Sequence, residues 1–296
     1  MMMRKKWYAA LAAVVSAAFV LGGCGNGEDF KVIEVTNSNI VNTIGSLDSN
    51  TRLVARGTFD EALIKEISAA MLKLQDKFSQ RVLVFFDLSG VTSLNTIPEK
   101  AFIVEEIDGS TTSTSSCCNI AGIILPASVT RIGKQAFWGS LRLESVEFAT
   151  GSQLKEIGDS AFQGCSNLTS IDIPASVTKL GNTAFSSCGL ASITLPSALQ
   201  EIEGYTFFNC VELTTIEIPA TVTKIGAQAF GETKLTSVTF KDSESKWKAE
   251  REYFDPEDLE SKTEIKEFDV SDAVANATYL KETYLEYELS KKTGSE

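Results

Sequence analysis

The sequence predicts a β-rich solenoid of about six coils, and three observations predict it. Ile or Leu, three residues, then Ala-Phe or Thr-Phe occurs six times between Ile97 and Phe230. The pairs ending at Phe137, Phe162, Phe185, Phe207 and Phe230 follow one another at intervals of 22 to 25 residues. Apolar residues of period two run into Pro126, Pro174, Pro196 and Pro219 in four of the units, as in Leu168, Ile171 and Ile173 before Pro174. A unit of this period cannot bury its own apolar face, so stacked neighbours must supply the core.

In chain order, the first element is a leader. Arg4-Lys5-Lys6 is a basic start, Tyr8 to Val20 is apolar, and Leu21-Gly22-Gly23-Cys24 follows. The apolar run is shorter than the roughly 20 residues a membrane-spanning helix needs. Leu-Gly-Gly-Cys resembles the bacterial lipoprotein signal. The resemblance implies a signal peptide over 1–23, an acylated Cys24 and attachment to a lipid bilayer without a spanning helix. The Asn/Ser/Thr-rich residues 24–50 are expected to be a flexible tether.

Residues 51–88 are expected to form a strand–helix–strand unit covering the first coil. Thr58 and Glu61 have capping-box spacing, Phe59, Leu63, Ile67, Met71, Leu74 and Phe78 share a helical face, and Leu83, Phe86 and Leu88 have strand spacing. The coils then occupy 89–240. In four of them a short strand ends at the proline, which lacks an N–H for the ladder. Gly133, Gly158, Gly181 and Gly226 suit a corner with positive φ. The first unit carries an insertion near 103–117, because Phe102 stands 16 residues before Cys118 whereas Phe185 stands three before Cys188. Its Ser/Thr-rich composition reads as a disordered loop, or as a binding loop on one face. Residues 241–296 hold 16 acidic against 9 basic residues. They are expected to be an acidic connector packed through Trp247, Tyr253 and Phe254. A helical cap would follow, with Ser271 at its start and Val274, Ala277 or Thr278, Tyr284 and Tyr287 against the last coil.

Ile-Gly-x-x-Ala-Phe followed by Cys-x-x-Leu-x-x-Ile-x-Ile-Pro resembles the BspA-type leucine-rich repeat of bacterial cell-surface proteins, over about Leu83 to Phe240. The resemblance implies a leucine-rich repeat fold with one strand per repeat. It also implies adhesion to host extracellular proteins or to other bacteria. Tyr205-Thr206-Phe207 and Trp138-Gly139-Ser140 are local departures from the repeat.

Chemistry has little to work with. The absence of histidine removes the usual general base and the commonest transition-metal ligand, and no catalytic, cofactor or metal site is expected. Cys118, Cys165, Cys188 and Cys210 share one repeat position with Ser140 and Thr233. They read as a stacked rung of small side chains, with an oxidised pair among Cys165, Cys188 and Cys210 as the alternative. The formal charge of −12 disfavours nucleic acid as a partner.

What remains is surface. Two outward rows follow from the alternation: Gly122, Ser145, Ser170, Ser192, Thr215 and Ser237, beside Ile124, Glu147, Asp172, Thr194, Glu217 and Thr239. From Ser145 to Thr239 these hydroxyls and acids form the candidate binding face for an extracellular protein, presented by a monomer on the outer membrane. A periplasm-facing scaffold and a glycan-binding accessory are the alternatives.

Overall fold

Alternating burial along Val32 to Val35 and an i, i+4 pair at Ile40 and Ile44 give the chain regular structure earlier than the tether expectation allowed. The structure is a computed structural model describing residues 30–77, 82–108, 111–116, 119–242, 247–255, 260–268, 270–281 and 288–291. The leader, Cys24, Cys117 and Cys118 lie outside the described residues.

Strands β1 (Lys31–Thr36), β2 (Thr51–Gly57) and β3 (Val84–Val91) alternate with helices α1 (Ile40–Gly45) and α2 (Glu61–Lys77). The three strands are parallel in the order β1-β2-β3. Val35, Ile40, Ile44, Leu53, Ile67 and Met71 lie at 0–1% exposure beneath them. Helix α2 is capped by Asp60, whose Oδ1 accepts the Leu63 N–H at 2.8 Å, and not by Thr58. This unit does not stand apart from the repeats. β3 pairs with Ile120–Leu125, with Phe86 opposite Ile123, and that strand pairs with Ser145–Phe148.

Besides the expected broad strand, which two middle coils reduce to a single bridge, six coils contribute a second, two-residue strand. Thr96–Ile97, Arg131–Ile132, Glu156–Ile157, Lys179–Leu180, Glu201–Ile202 and Lys224–Ile225 form a second parallel ladder. Its apolar members are buried at 0–1%, so each draws its polar neighbour into register with the next coil. Ile or Leu three residues before Ala-Phe is therefore a strand position as well as a core position.

The glycines after this strand serve close approach, not positive φ. A Cβ on Gly133 would stand 2.5 Å from Glu99 N, one on Gly181 2.5 Å from Asp159 N, and one on Gly226 2.3 Å from Gly204 N. Positive φ falls two residues later, at Lys100, Gln135, Ser160, Thr183, Tyr205 and Gln228, with φ of 52–57°. The Ala136 N–H to Gly133 carbonyl bond at 3.2 Å closes the four-residue turn that requires it.

Alanine and phenylalanine follow. The N–H of Phe137, Phe162 and Phe207 reaches the Ala161, Ala184 and Ala229 carbonyl of the next coil at 2.8 Å. The rings stack behind them, from Phe102–Phe137 at 5.0 Å to Phe185–Phe207 at 5.7 Å between centroids. Phe86 of β3 joins the column at 6.3 Å from Phe102. Cys165, Cys188 and Cys210 are free and buried. Each thiol donates to the phenylalanine carbonyl of the preceding coil: Cys165 to Phe137 at 3.3 Å, Cys188 to Phe162 at 3.0 Å and Cys210 to Phe185 at 3.1 Å. Burial pushes the thiols of Cys188 and Cys210 up, and a neighbouring thiol adds to this, so both stay protonated.

Three other expectations are corrected. The insertion is an antiparallel hairpin, Ile103–Asp108 against Thr111–Ser116, because its β-branched residues favour an extended backbone. The connector after Lys241 is likewise paired, Trp247–Asp255 against Glu260–Phe268. The C-terminal unit is mixed, not wholly helical. Glu288–Lys291 runs antiparallel to Lys224–Ile225, which ends the second ladder by adding a strand. Helix Ala273–Lys281 starts at Asp272, whose Oδ1 accepts the Val274 and Ala275 N–H groups, and not at Ser271. It buries Ala277 and Leu280 and leaves Val274 65% exposed, while Tyr284 and Tyr287 lie outside the described residues.

The close approach is testable. Gly181→Ala forces the coil of Asp159 away and is expected to lower the unfolding free energy by about 1–3 kcal/mol in urea titration. Gly45→Ala in α1, where nothing lies within 4 Å, is expected to be neutral or stabilising by up to about 1 kcal/mol.

Candidate interaction face

The broad strands place the predicted rows side by side. Ser145 lies opposite Gly122 and Glu147 opposite Ile124; Asp172 bridges Thr194; Thr215 lies opposite Ser237 and Glu217 opposite Thr239. Ser170, Asp172, Ser192, Thr194, Thr215, Glu217, Glu147 and Thr239 are exposed, and Ser145 and Ser237 are half-buried. Val146, Ile171, Ile216 and Val238 point inward between them.

The ladder beneath this face is uneven, for a reason written in the prolines. Where Ala149 and Lys241 occupy the position after the strand, their N–H groups donate to the Leu125 and Ile218 carbonyls at 2.9 Å. Pro174, Pro196 and Pro219 hold that position in the intervening coils and have no N–H to donate. Between the strands Ser145–Phe148 and Thr215–Ile218, pairing shrinks to the single Asp172–Thr194 bridge. The rows are continuous, but the backbone under their middle is held by fewer bonds.

Electrostatically the face is mildly acidic. The Ser145 hydroxyl lies 3.2 Å from Glu147 Oε1, and Lys241 Nζ pairs with Glu217 at 2.8 Å in the open. An exposed pair of this kind adds little stability. The acids stand on separate coils, and no described group of three or more Cys, Asp or Glu side chains could hold a metal ion.

The N-terminal end of the face carries a block that sequence reasoning missed. The Phe85 ring lies over Gly122, where an added Cβ would come within 2.5 Å of the ring. Arg52 sits 4.7 Å from the ring centroid and pairs with Asp87 at 2.8 Å. Gly122 in a row otherwise made of hydroxyl residues was the available signal, because a missing side chain there leaves room for a neighbour's. Burial pushes the Asp87 carboxyl upward, but hydrogen bonds from Arg52 and Ser89 outweigh it and hold Asp87 below the usual carboxylate range. Two depressions among the described residues flank α2 and not the face. One of about 460 Å³ is lined by Asn37, Thr58, Asp60 and Ser93, among others, and one of about 530 Å³ by Asn42, Ser46, Glu66 and Lys73, among others. No helix among the described residues is long and apolar enough to cross a membrane.

The sequence profile described as BspA type leucine rich repeat region matches residues 111–153 and 142–255, in six copies. Similar solved structures include a leucine rich repeat protein of T. pallidum, 28% identical over 53% of this chain and 70% of that one, with a TM-score of 0.46. A leucine rich cell surface protein from Faecalibacterium prausnitzii is 29% identical over 52% of this chain and 44% of that one, with a TM-score of 0.38. The pneumococcal vaccine antigen PcpA is 19% identical over 66% of this chain and 63% of that one, with a TM-score of 0.31. No curated protein sequence matches the chain.

The Arg52–Asp87 pair sets a pH dependence. Asp87 titrates lower in the folded chain than in the unfolded one, so its contribution is present above about pH 4 and is lost as pH falls further. Asp87→Asn is expected to flatten the dependence of thermal unfolding on pH in that acid range and to lower stability at neutral pH, where Arg52 loses its partner.

Proposed function

Residues 111–255 belong to the BspA-type leucine-rich repeat family, and on that premise we propose that the chain is a bacterial cell-surface protein whose broad-strand face binds another protein. The observation that carries this reading is the face itself: two rows of hydroxyl and carboxylate side chains run from Ser145 to Thr239 across five coils, almost all of them exposed. Such a surface offers many weak polar contacts and no desolvated cleft, which suits recognition better than catalysis. We therefore take the role to be non-catalytic. At one end the Phe85 ring is buried at 6% beneath Arg52, so it supports the face instead of contacting a partner.

In the finer reading, Cys24 carries the acyl chains that hold the protein to the outer membrane with the repeats facing outward, and the bound protein belongs to a host or to another bacterium. The basic and apolar leader ending at Cys24 supports the anchor. The family resemblance supports the adhesion reading.

Two measurements test it. Protease added to intact cells is expected to remove the protein while a periplasmic control survives; full protection would replace the adhesin by an internal scaffold. The variant Glu147→Lys/Asp172→Lys/Glu217→Lys, compared with the unchanged chain in capture of host matrix proteins and bacterial surface extracts, is expected to bind at least about tenfold more weakly at similar melting temperature. Equal binding by both would remove the face from the account. Retention of soluble polysaccharide in place of protein would turn it into a glycan accessory.

A further inference from the structure

Five large apolar side chains are exposed among the described residues, and Leu141 at 50%, Tyr205 at 36% and Val211 at 43% lie on one ridge. The ridge is built by the turns around Ala-Phe. Gly139 N–H bonds to the Gln163 carbonyl, Gly164 to Ser186, Ser187 to Phe208 and Asn209 to Gly231, at 2.7–2.8 Å. Trp138, Gln163, Ser186, Phe208 and Gly231 are thus successive rungs of one edge. Gln135, Ser160, Thr183, Tyr205 and Gln228 make a second row beside it by the same kind of bond.

Packing does not ask for aromatic residues there, since other coils put Gln, Ser, Thr or Gly at these positions. Tyr205 also holds a φ of 56°, a conformation unfavourable for a bulky residue. Its ring meets Phe208 edge-on at 5.5 Å, and Phe208 lies over Gly231, where an added Cβ would be 3.0 Å from the ring. Trp138 and Leu141 stand three residues apart at one end of the ridge, and Tyr205, Phe208 and Val211 at the other. They are separated by three coil steps of 5.1 to 5.7 Å, with Ser160, Gln163, Thr183 and Ser187 between.

The charges at the two ends are opposite and occupy one repeat position. Arg142 follows Leu141 as Glu212 follows Val211. If two copies met ridge to ridge in parallel, Arg142 would face Arg142 and Glu212 would face Glu212. An antiparallel pairing, with its two-fold axis between the coils of Phe162 and Phe185, sets each Arg142 against the other copy's Glu212. It also covers each end with the other, as a two-fold interface requires. Glu212 already has an exposed partner in Lys234 at 3.2 Å, a pair that yields readily to a better one.

We propose that this ridge is a homophilic contact, in which a second copy of the chain docks antiparallel through Trp138, Leu141 and Arg142 against Tyr205, Phe208, Val211 and Glu212. The monomer expected from sequence then gives way to a two-fold pair. The broad-strand face lies elsewhere on the coil, so the contact stands independently of its ligand. An antiparallel pair carries its N-terminal units at opposite ends. This suits a bridge between two surfaces, a corollary that rests on the proposed surface display.

The test uses the chain purified from its membrane in mild detergent, followed by sedimentation equilibrium over micromolar concentrations. A monomer–dimer equilibrium is expected. Arg142→Glu and Glu212→Arg are each expected to weaken it at least about tenfold, and the two together to restore it. Tyr205→Gln and Phe208→Ser, which copy Gln228 and Ser186, should weaken it without lowering the melting temperature. Oxidation of Arg142→Cys/Glu212→Cys in intact membranes should give a covalent dimer that neither single variant gives. A monomer with no cross-link, a dimer indifferent to both charge reversals, or capture of a different protein by the ridge of a monomeric chain would each overturn the proposal. Protease shaving fails or succeeds separately, so a failed dimer and a failed surface assignment remain distinguishable.

Discussion

Everything in this chain depends on one coil being able to lie flat on the next. The Phe column from Phe86 to Phe230 fills the space between the strands and the turn, with most rings within 10° of parallel and 5.1–5.7 Å apart. That spacing is reached only because alanine precedes each ring in most coils and glycine removes a Cβ at the corner. The buried thiols complete the contact by giving the phenylalanine carbonyl of the coil behind a donor. A full disulfide would need two rungs to turn toward one another, whereas each sulfur is turned toward a backbone oxygen.

The same constraint explains what was legible in the sequence. Phe137, Phe162 and Phe185 recur because the column cannot skip a rung, so the solenoid, its period and its core could be read directly. The two-row face was readable for a related reason: Val146, Ile171 and Ile216 must point inward, which leaves their neighbours outside. Less legible were features depending on what a residue meets in another coil. Gly181 looks like a positive-φ corner until the backbone of Asp159 is seen against it. Ile157 and Leu180 look like plain core until their pairing in a second ladder is seen. At the ends, β1 and the Trp247–Asp255 strand interrupt their apolar residues with charges, so neither shows a clear strand alternation. Their order comes from a neighbour's exposed edge, which no local pattern encodes.

Once stacking is settled, the surface is free to vary, and its variation is informative. The broad-strand face keeps hydroxyls and acids from coil to coil, while the turn ridge breaks the pattern at Trp138 and at Tyr205 and Phe208. Residues that obey the repeat maintain the column. Residues that depart from it without a packing reason are the ones on which the proposed contact between copies is built. The Arg52–Phe85–Gly122 block is the opposite case, since Gly122 departs from its row because the Phe85 ring fills its side-chain space where β3 takes the place of a coil.

The central claim is that the column of rings, and not the strand ladders alone, holds the coils and their flanking units as one body. Phe162 sits at its middle, 0% exposed, between Phe137 and Phe185. Urea unfolding of Phe162→Ala is expected to show a loss of about 3–5 kcal/mol, with amide protection falling in the coils on both sides of the cavity. A loss below about 1 kcal/mol with protection unchanged beyond the mutated coil would contradict it, and would assign the stacking to the backbone ladders.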